Sequence, residues 1–285
     1  MKLSTEFAYA TQLFGTEAAI PMLAEAGYDA LDFSMYDARR EDNPVSHDDY
    51  KERMASFKRI AEDSGICFNQ THAPFPNWKN GDEAYNALTY PRLIRAIEAT
   101  ALLGAPVVVM HPGSMPDYEA AMEANIKHFK TLQPYCEEFG VKIAIENVIL
   151  PEFNATTQQH LTLMDSLDSR YFTALIDVGH AEINNVGAAE FIRAMGGERL
   201  GALHIHDNDK VHDLHNLPFT RSIDFKEITR ALAEIDYKGD FTLESGFFIR
   251  YFDEHLAKDA YHLMAQVGHR LIQMIEDAKK EIKNG

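Results

Sequence analysis

Residues 140–147 read Gly-Val-Lys-Ile-Ala-Ile-Glu-Asn. The glycine closes an amphipathic run at 118–139, where a helix end favours a residue free to take positive φ. Ile143, Ala144 and Ile145 then make an apolar run too short for a helix, as expected of a strand buried on both faces. That run stops on a carboxylate, Glu146. The same unit recurs along the chain. Gly27 closes a helical pattern at 17–26, Gly65 one at 47–64 and Gly104 one at 84–103, each just ahead of another short apolar run.

Strands are expected at 2–8, 30–34, 66–72, 107–111, 142–147, 172–177, 200–206 and 240–244, and further helices at 225–235 and 254–280. Eight such units in 285 residues fit an α/β protein with a (β/α)8 TIM barrel. An open doubly wound sheet would show a Gly-rich phosphate turn after an early strand, and the chain has none. No Pro-rich or Ser-rich linker interrupts it, so a single domain is expected over 1–285.

Composition narrows the function. With 27 Lys and Arg against 44 Asp and Glu, the net charge is −17. Nucleic acid and anionic membrane reward the opposite balance. Two cysteines, Cys67 and Cys136, support neither a disulfide scaffold nor a cysteine-built zinc site. No apolar run spans a bilayer, and the first residues lack a signal-peptide core, so a cytoplasmic location is expected.

Chemistry concentrates where the strands stop. Strands three to eight finish with His72, His111, Glu146, Asp177, His206 and Glu244, spaced 29 to 39 residues apart. That spacing is about one strand–helix unit, so all six side chains return to the C-terminal rim, where such barrels place their active sites. Acids and imidazoles on apolar strands cost several kcal/mol to bury unless they are paired or bind metal. Three imidazoles and three carboxylates suit a divalent ion, Zn²⁺ or Mn²⁺. His180 follows in Asp-Val-Gly-His, and Asp213 and His215 lie in the loop after strand seven. His204 shares a face with His206 because strand side chains repeat every two residues, and it reads as a residue holding a ligand in place. His47, His128, His160, His255, His262 and His269 fall on helices or their ends and read as surface or packing residues. The strand-end loops offer the cations Lys79, Lys210, Arg221 and Arg250, and the aromatics Phe75, Trp78, Phe219, Phe247 and Phe248, which can cover a sugar's apolar faces.

With these residues in view, the sequence resembles the xylose isomerase-like barrel superfamily of sugar isomerases, epimerases and endonuclease IV. The resemblance rests on Thr71-His72-Ala73-Pro74-Phe75, Val109-Met110-His111-Pro112-Gly113 and Ile143-Ala144-Ile145-Glu146-Asn147. It continues through Ile176-Asp177-Val178-Gly179-His180, His204-Ile205-His206-Asp207-Asn208-Asp209 and Leu243-Glu244-Ser245. Two branches divide the implication. The ketose 3-epimerase branch implies one metal on Glu146, Asp177, His206 and Glu244, with Glu146 and Glu244 as the acid–base pair and Glu152 and His180 touching substrate. That branch has an arginine six residues beyond its strand-seven histidine, where this chain has His212. The endonuclease IV branch implies up to three zinc ions on those four residues together with His72, His111, His180, Asp213 and His215.

The acidic charge and the aromatic mouth favour a small sugar or polyol, with Phe75, Trp78 and Lys210 as further substrate contacts. The expected reaction is isomerisation or epimerisation by proton transfer beside a carbonyl. Zinc-dependent phosphodiester hydrolysis and an inosose dehydratase-like lyase step are the alternatives. One to three divalent ions and a homo-oligomer lie within what the resemblance implies.

Overall fold

The computed structural model describes residues 1–36 and 43–284. Eight strands run in chain order: β1 Leu3–Glu6, β2 Ala30–Ser34, β3 Cys67–His72, β4 Val107–Met110, β5 Lys142–Glu146, β6 Phe172–Asp177, β7 Leu200–His204 and β8 Phe241–Leu243. Each pairs in parallel with its neighbour, in the order β7-β6-β5-β4-β3-β2-β1-β8. The two free edges meet at Ile205, whose N–H donates to the Thr242 carbonyl while the Glu244 N–H donates to the Ile205 carbonyl, both at 2.9 Å. The result is a nearly closed TIM barrel ringed by helices, in one domain. Among the described residues no helix is long and apolar enough to cross a membrane.

Strand parity positions the site. Successive side chains point to opposite faces of a strand. On β4 to β7, Val108, Met110, Ile143, Ile145, Ala174, Ile176 and Leu203 face the helices and join the main apolar core. Val109, Ala144, Leu175 and Ala202 turn inward and form a separate small cluster inside the barrel. The next inward residue on each of these strands, two positions on, is His111, Glu146, Asp177 and His204, with His206 after that. The β8–β1–β3 side of the interior is polar instead. Ser4 Oγ donates to Asn69 Oδ1 at 2.6 Å, Asn69 Nδ2 to Thr242 Oγ1 at 3.1 Å, and Gln70 Nε2 to Asp32 Oδ2 at 2.8 Å. Such a chain satisfies groups that burial would otherwise penalise, and it underlies the acidic rim.

Several expected boundaries shift, for local reasons. β1 stops at Glu6 because a short helix, Ala8–Phe14, starts at once, and the Glu6 carboxylate accepts the Ala8 N–H at 2.6 Å. The helix expected at 47–64 begins at Tyr50, after a single 3₁₀ turn at Pro44–Ser46. β7 ends at His204, since Asp207 leaves the barrel to pair with Asn216. Two helices absent from the sequence reading, Thr157–Asp165 and Ala188–Arg199, follow β5 and β6. The first is only 9 residues long, started by a capping box between Thr156 and Gln159. The second is broken at Gly196, whose φ is 67°, so neither shows a long amphipathic period.

Candidate metal centre

The strand ends do converge. His72, His111 and Glu146 bring donor atoms within 4.8 Å of one another, and so do His180, Asp213 and His215. Two further groups, Glu146 with Asp177, His204 and Glu244, and His206 with His215 and Glu244, meet the same limit. Glu146 Oε2 faces His111 Nε2 at 2.8 Å and His72 Nε2 at 3.5 Å. Its Oε1 faces His204 Nδ1 at 3.3 Å. One carboxylate therefore joins two donor sets.

The imidazoles are oriented as metal ligands are. His72 Nδ1 donates to the Ala73 carbonyl at 3.0 Å, His180 Nδ1 to Asn147 O at 2.8 Å and His215 Nδ1 to Glu244 O at 2.9 Å. Each backbone acceptor takes the Nδ1 proton and turns Nε2 toward the acids, the nitrogen that a metal would use. His72 Nε2 and His111 Nε2 face each other at 3.2 Å. His206 Nδ1 and Asp213 Oδ1 are buried and make no hydrogen bond, and the buried Glu244 Oε2 faces His204 Nδ1 at 3.2 Å without hydrogen-bonding geometry. Gly179 matters here because a Cβ would lie 2.0 Å from His206 Cε1. The donor set fits divalent cations of borderline hardness.

Electrostatics separate the two glutamates. Burial opposes charge on Glu146, yet the imidazoles of His111 and His204 hold its carboxyl well below the ordinary carboxylate value. Burial pushes the Glu244 carboxyl up, against the pull of His204 and His215. Asp177 and Asp213 are drawn down despite burial, by His180 with His206 and by His180 with His215. Burial lowers His215, but Glu244 and Asp213 outweigh it and bring it up to about 9. Carboxyls whose affinities for protons are driven apart can take opposite acid and base roles.

A cavity of about 590 Å³ opens over these groups, lined by His72, His111, Glu146, His180, Asp213, His215 and Glu244. The other expected contacts are less central. Phe75 stacks on Tyr36 and stands 4.7 Å from the His111 ring, walling the histidines without lining the cavity. Trp78 lies across Gly113 and donates to Asn125 Oδ1 at 3.2 Å, so it packs a loop. Lys210 pairs with Glu182 at 2.9 Å, outside the cavity lining. Glu152 is exposed and likewise outside it. His204, expected to hold a ligand in place, stands among the donors themselves: its Nε2 meets Asp32 at 3.2 Å while Nδ1 reaches both glutamates, Glu244 at 3.2 Å. His160, read as a packing residue, is fully buried, bonded to Asn154 and edge-on to Phe191.

Lining residues that the sequence reading missed come from the first two units: Glu6, Tyr9, Gln12, Ser34, Tyr36 and Arg53. Glu6 had a signal, since it follows Ser4 by two and so shares its inward face. Burial pushes its carboxyl up to about 8, with Asp32 and Glu244 adding to the effect.

Comparison with known proteins agrees with this architecture. A family model described as xylose isomerase-like TIM barrel matches residues 20–268. The chain belongs to that family. An uncharacterised protein of Methanocaldococcus jannaschii is 32% identical over 188 residues, covering 61% of this chain and 63% of its own. The matched region thus spans less than two thirds of that relative. An L-ribulose 3-epimerase of Methylomonas sp. is 24% identical over 234 residues, covering 81% of this chain and 78% of its own. The solved structure of a D-tagatose 3-epimerase-like protein shares the fold with a TM-score of 0.77 at 21% identity, over 97% of this chain and 99% of that one.

Proposed function

We propose that this chain is an isomerase-class enzyme, a metal-dependent sugar isomerase or epimerase. The observation that carries the reading is Glu146 and Glu244, from opposite parts of the barrel, facing one cavity within a single donor group. The epimerase relative supports the same reaction class. Glu146, Asp177 and Glu244 are the carboxylates that would hold the principal ion; the imidazole grouped with all three is that of His204, whereas His206, the expected fourth ligand, groups with His215 and Glu244. When bound, a divalent cation polarises a carbonyl and offsets the negative charge that develops on it.

The chain's own groups do the rest. Glu146, the more acidic carboxyl, takes the proton from the carbon next to the carbonyl. Glu244, the more basic one, gives a proton back from the other side, and the roles reverse with direction. His204 bridges the two carboxylates from below, and His180 is available to a substrate hydroxyl. Tyr36 and Phe247 line the cavity and offer aromatic faces to a sugar.

Glu146→Gln and Glu244→Gln are expected to lower turnover of a ketose panel by roughly 10²–10⁴-fold, the usual worth of a general acid or base. Incorporation of solvent deuterium into the ketose reports the proton step directly. Undiminished exchange in both variants would end this mechanism.

The separate donor groups around His72 and around His180 also favour a second reading, phosphodiester hydrolysis at a multinuclear zinc site. Three zinc ions per chain together with cleavage of abasic DNA would support it; one ion and ketose exchange support the first.

A further inference from the structure

Eight strands deliver eight inward side chains to the rim, and six of them are the proposed ligands. The other two are Glu6 on β1 and Ser34 on β2, neighbours in the sheet and both in the cavity wall. They leave one arc of the ring without a metal role, between Glu244 and His72. The cavity runs over this arc toward Tyr9, Gln12 and Arg53. Its volume of about 590 Å³ lies in the ordinary range for a small-molecule site.

We propose that Glu6 is a specificity-determining residue that contacts the end of the substrate remote from the metal, and that it selects an uncharged, hydroxyl-bearing end over a phosphorylated one. The inference rests on the sugar-site reading above and narrows its substrate class. One Glu6 oxygen is fixed by the Ala8 N–H at 2.6 Å. The other lies near the start of the short helix Gly246–Ile249, 3.3 Å from where a Cβ on Gly246 would be. That helix start also lines the cavity. The carboxyl is therefore oriented before any ligand arrives, and orientation of this kind reduces the entropy lost on binding.

A hydroxyl can donate to a charged carboxylate or accept from a neutral one, so it suits Glu6 in either state. A phosphate needs several donors or a guanidinium fork. Among the described lining residues the one Lys or Arg is Arg53, and its Nε is engaged by both oxygens of Asp49 at 2.9 Å. Asp213 and Glu146, both held in their charged forms, add negative charge to the same cavity.

The test is calorimetric binding to Mn²⁺-loaded protein of D-fructose, D-tagatose and L-ribulose and of their terminal phosphates, with metal per chain measured alongside. Wild type is expected to bind at least one free ketose about tenfold or more tighter than its phosphate. Glu6→Ala should weaken that ketose about tenfold, the scale of one lost directed hydrogen bond, at unchanged metal content. Glu6→Gln, which keeps an acceptor for the Ala8 N–H, guards against loss of the fold and should weaken it less. Glu6→Lys should shift preference toward the phosphate. The proposal is overturned if no free ketose binds, if the phosphate binds as well or better, or if neither Glu6→Ala nor Glu6→Gln alters affinity. Failure of the proton-transfer reading looks different: ketose binds and responds to Glu6, but no solvent deuterium enters it.

Discussion

Gly179 packs against His206 so closely that a methyl group there would lie 2.0 Å from Cε1 and 2.4 Å from Nε2. His206 has no room to retreat, being fully buried and stacked on His215 at 4.1 Å. Gly179→Ala should therefore lower metal affinity by about 10–100-fold, the usual effect of disturbing a ligand's support, with circular dichroism unchanged. Chelator competition measures it, and equal affinity would show that His206 is not a ligand. His160 supports a prediction about pH. Burial brings its imidazole down to about 3 from an ordinary 6.5, so on acidification the unfolded chain takes up the proton first. Stability is then lost as pH falls below 6.5, by about 2 kcal/mol at pH 5. Urea unfolding at pH 7 and pH 5 should show a drop smaller by about that amount in His160→Gln than in wild type.

At the scale of elements, the long helix Glu254–Asn284 closes the barrel over β1 and β8 through Gly268. A Cβ there would lie 2.4 Å from Leu3 Cδ1 and 3.2 Å from Leu243 Cδ1. Alanine gains up to about 1 kcal/mol in helix propensity, but overpacking this seam costs about 1–3 kcal/mol. Gly268→Ala should thus be net destabilising, whereas in a Leu3→Ala background, with the obstruction gone, it should stabilise. A double-mutant cycle in urea reads the coupling, and additivity would refute the close packing. The same elements show what the sequence made legible. Strand ends could be read because a donor side chain at the rim follows an inward residue by two, as Glu146 follows Ala144 and Asp177 follows Leu175. Glu6 obeys the same rule. It was missed because Phe7 and Ala8 follow it and extend the apparent strand past Glu6, which hides where β1 stops. Thr157–Asp165 and Ala188–Arg199 were hidden for another reason. A capping box and a glycine break define them, and neither leaves a hydrophobic period.

At the scale of the whole molecule, charge and site act together. The sequence alone indicated the barrel and the donors, because chain order and parity dictate which end of the sheet they reach. It gave no means of telling which loop side chains enter the cavity, since Trp78, Lys210 and Glu152 were placed by loop paths that obey no period. Those paths also divert cations from the mouth. Lys210 is paired with Glu182, Lys79 lies over the Tyr85 ring at 4.3 Å, and Arg250 over Phe247 at 4.5 Å. Duplex binding draws its affinity from Lys and Arg that displace counterions from phosphates. A chain of net charge −17 with three of its four strand-end cations so engaged should show no saturable binding of an abasic 30-base-pair duplex below about 10⁻⁴ M at physiological salt, the weak end of even non-specific affinity. Fluorescence anisotropy on the zinc-loaded and manganese-loaded protein measures this. Tight binding that ends in strand cleavage would transfer the donor groups from sugar chemistry to phosphodiester hydrolysis, with His72, His111, His180, Asp213 and His215 then expected to be as indispensable as Glu146.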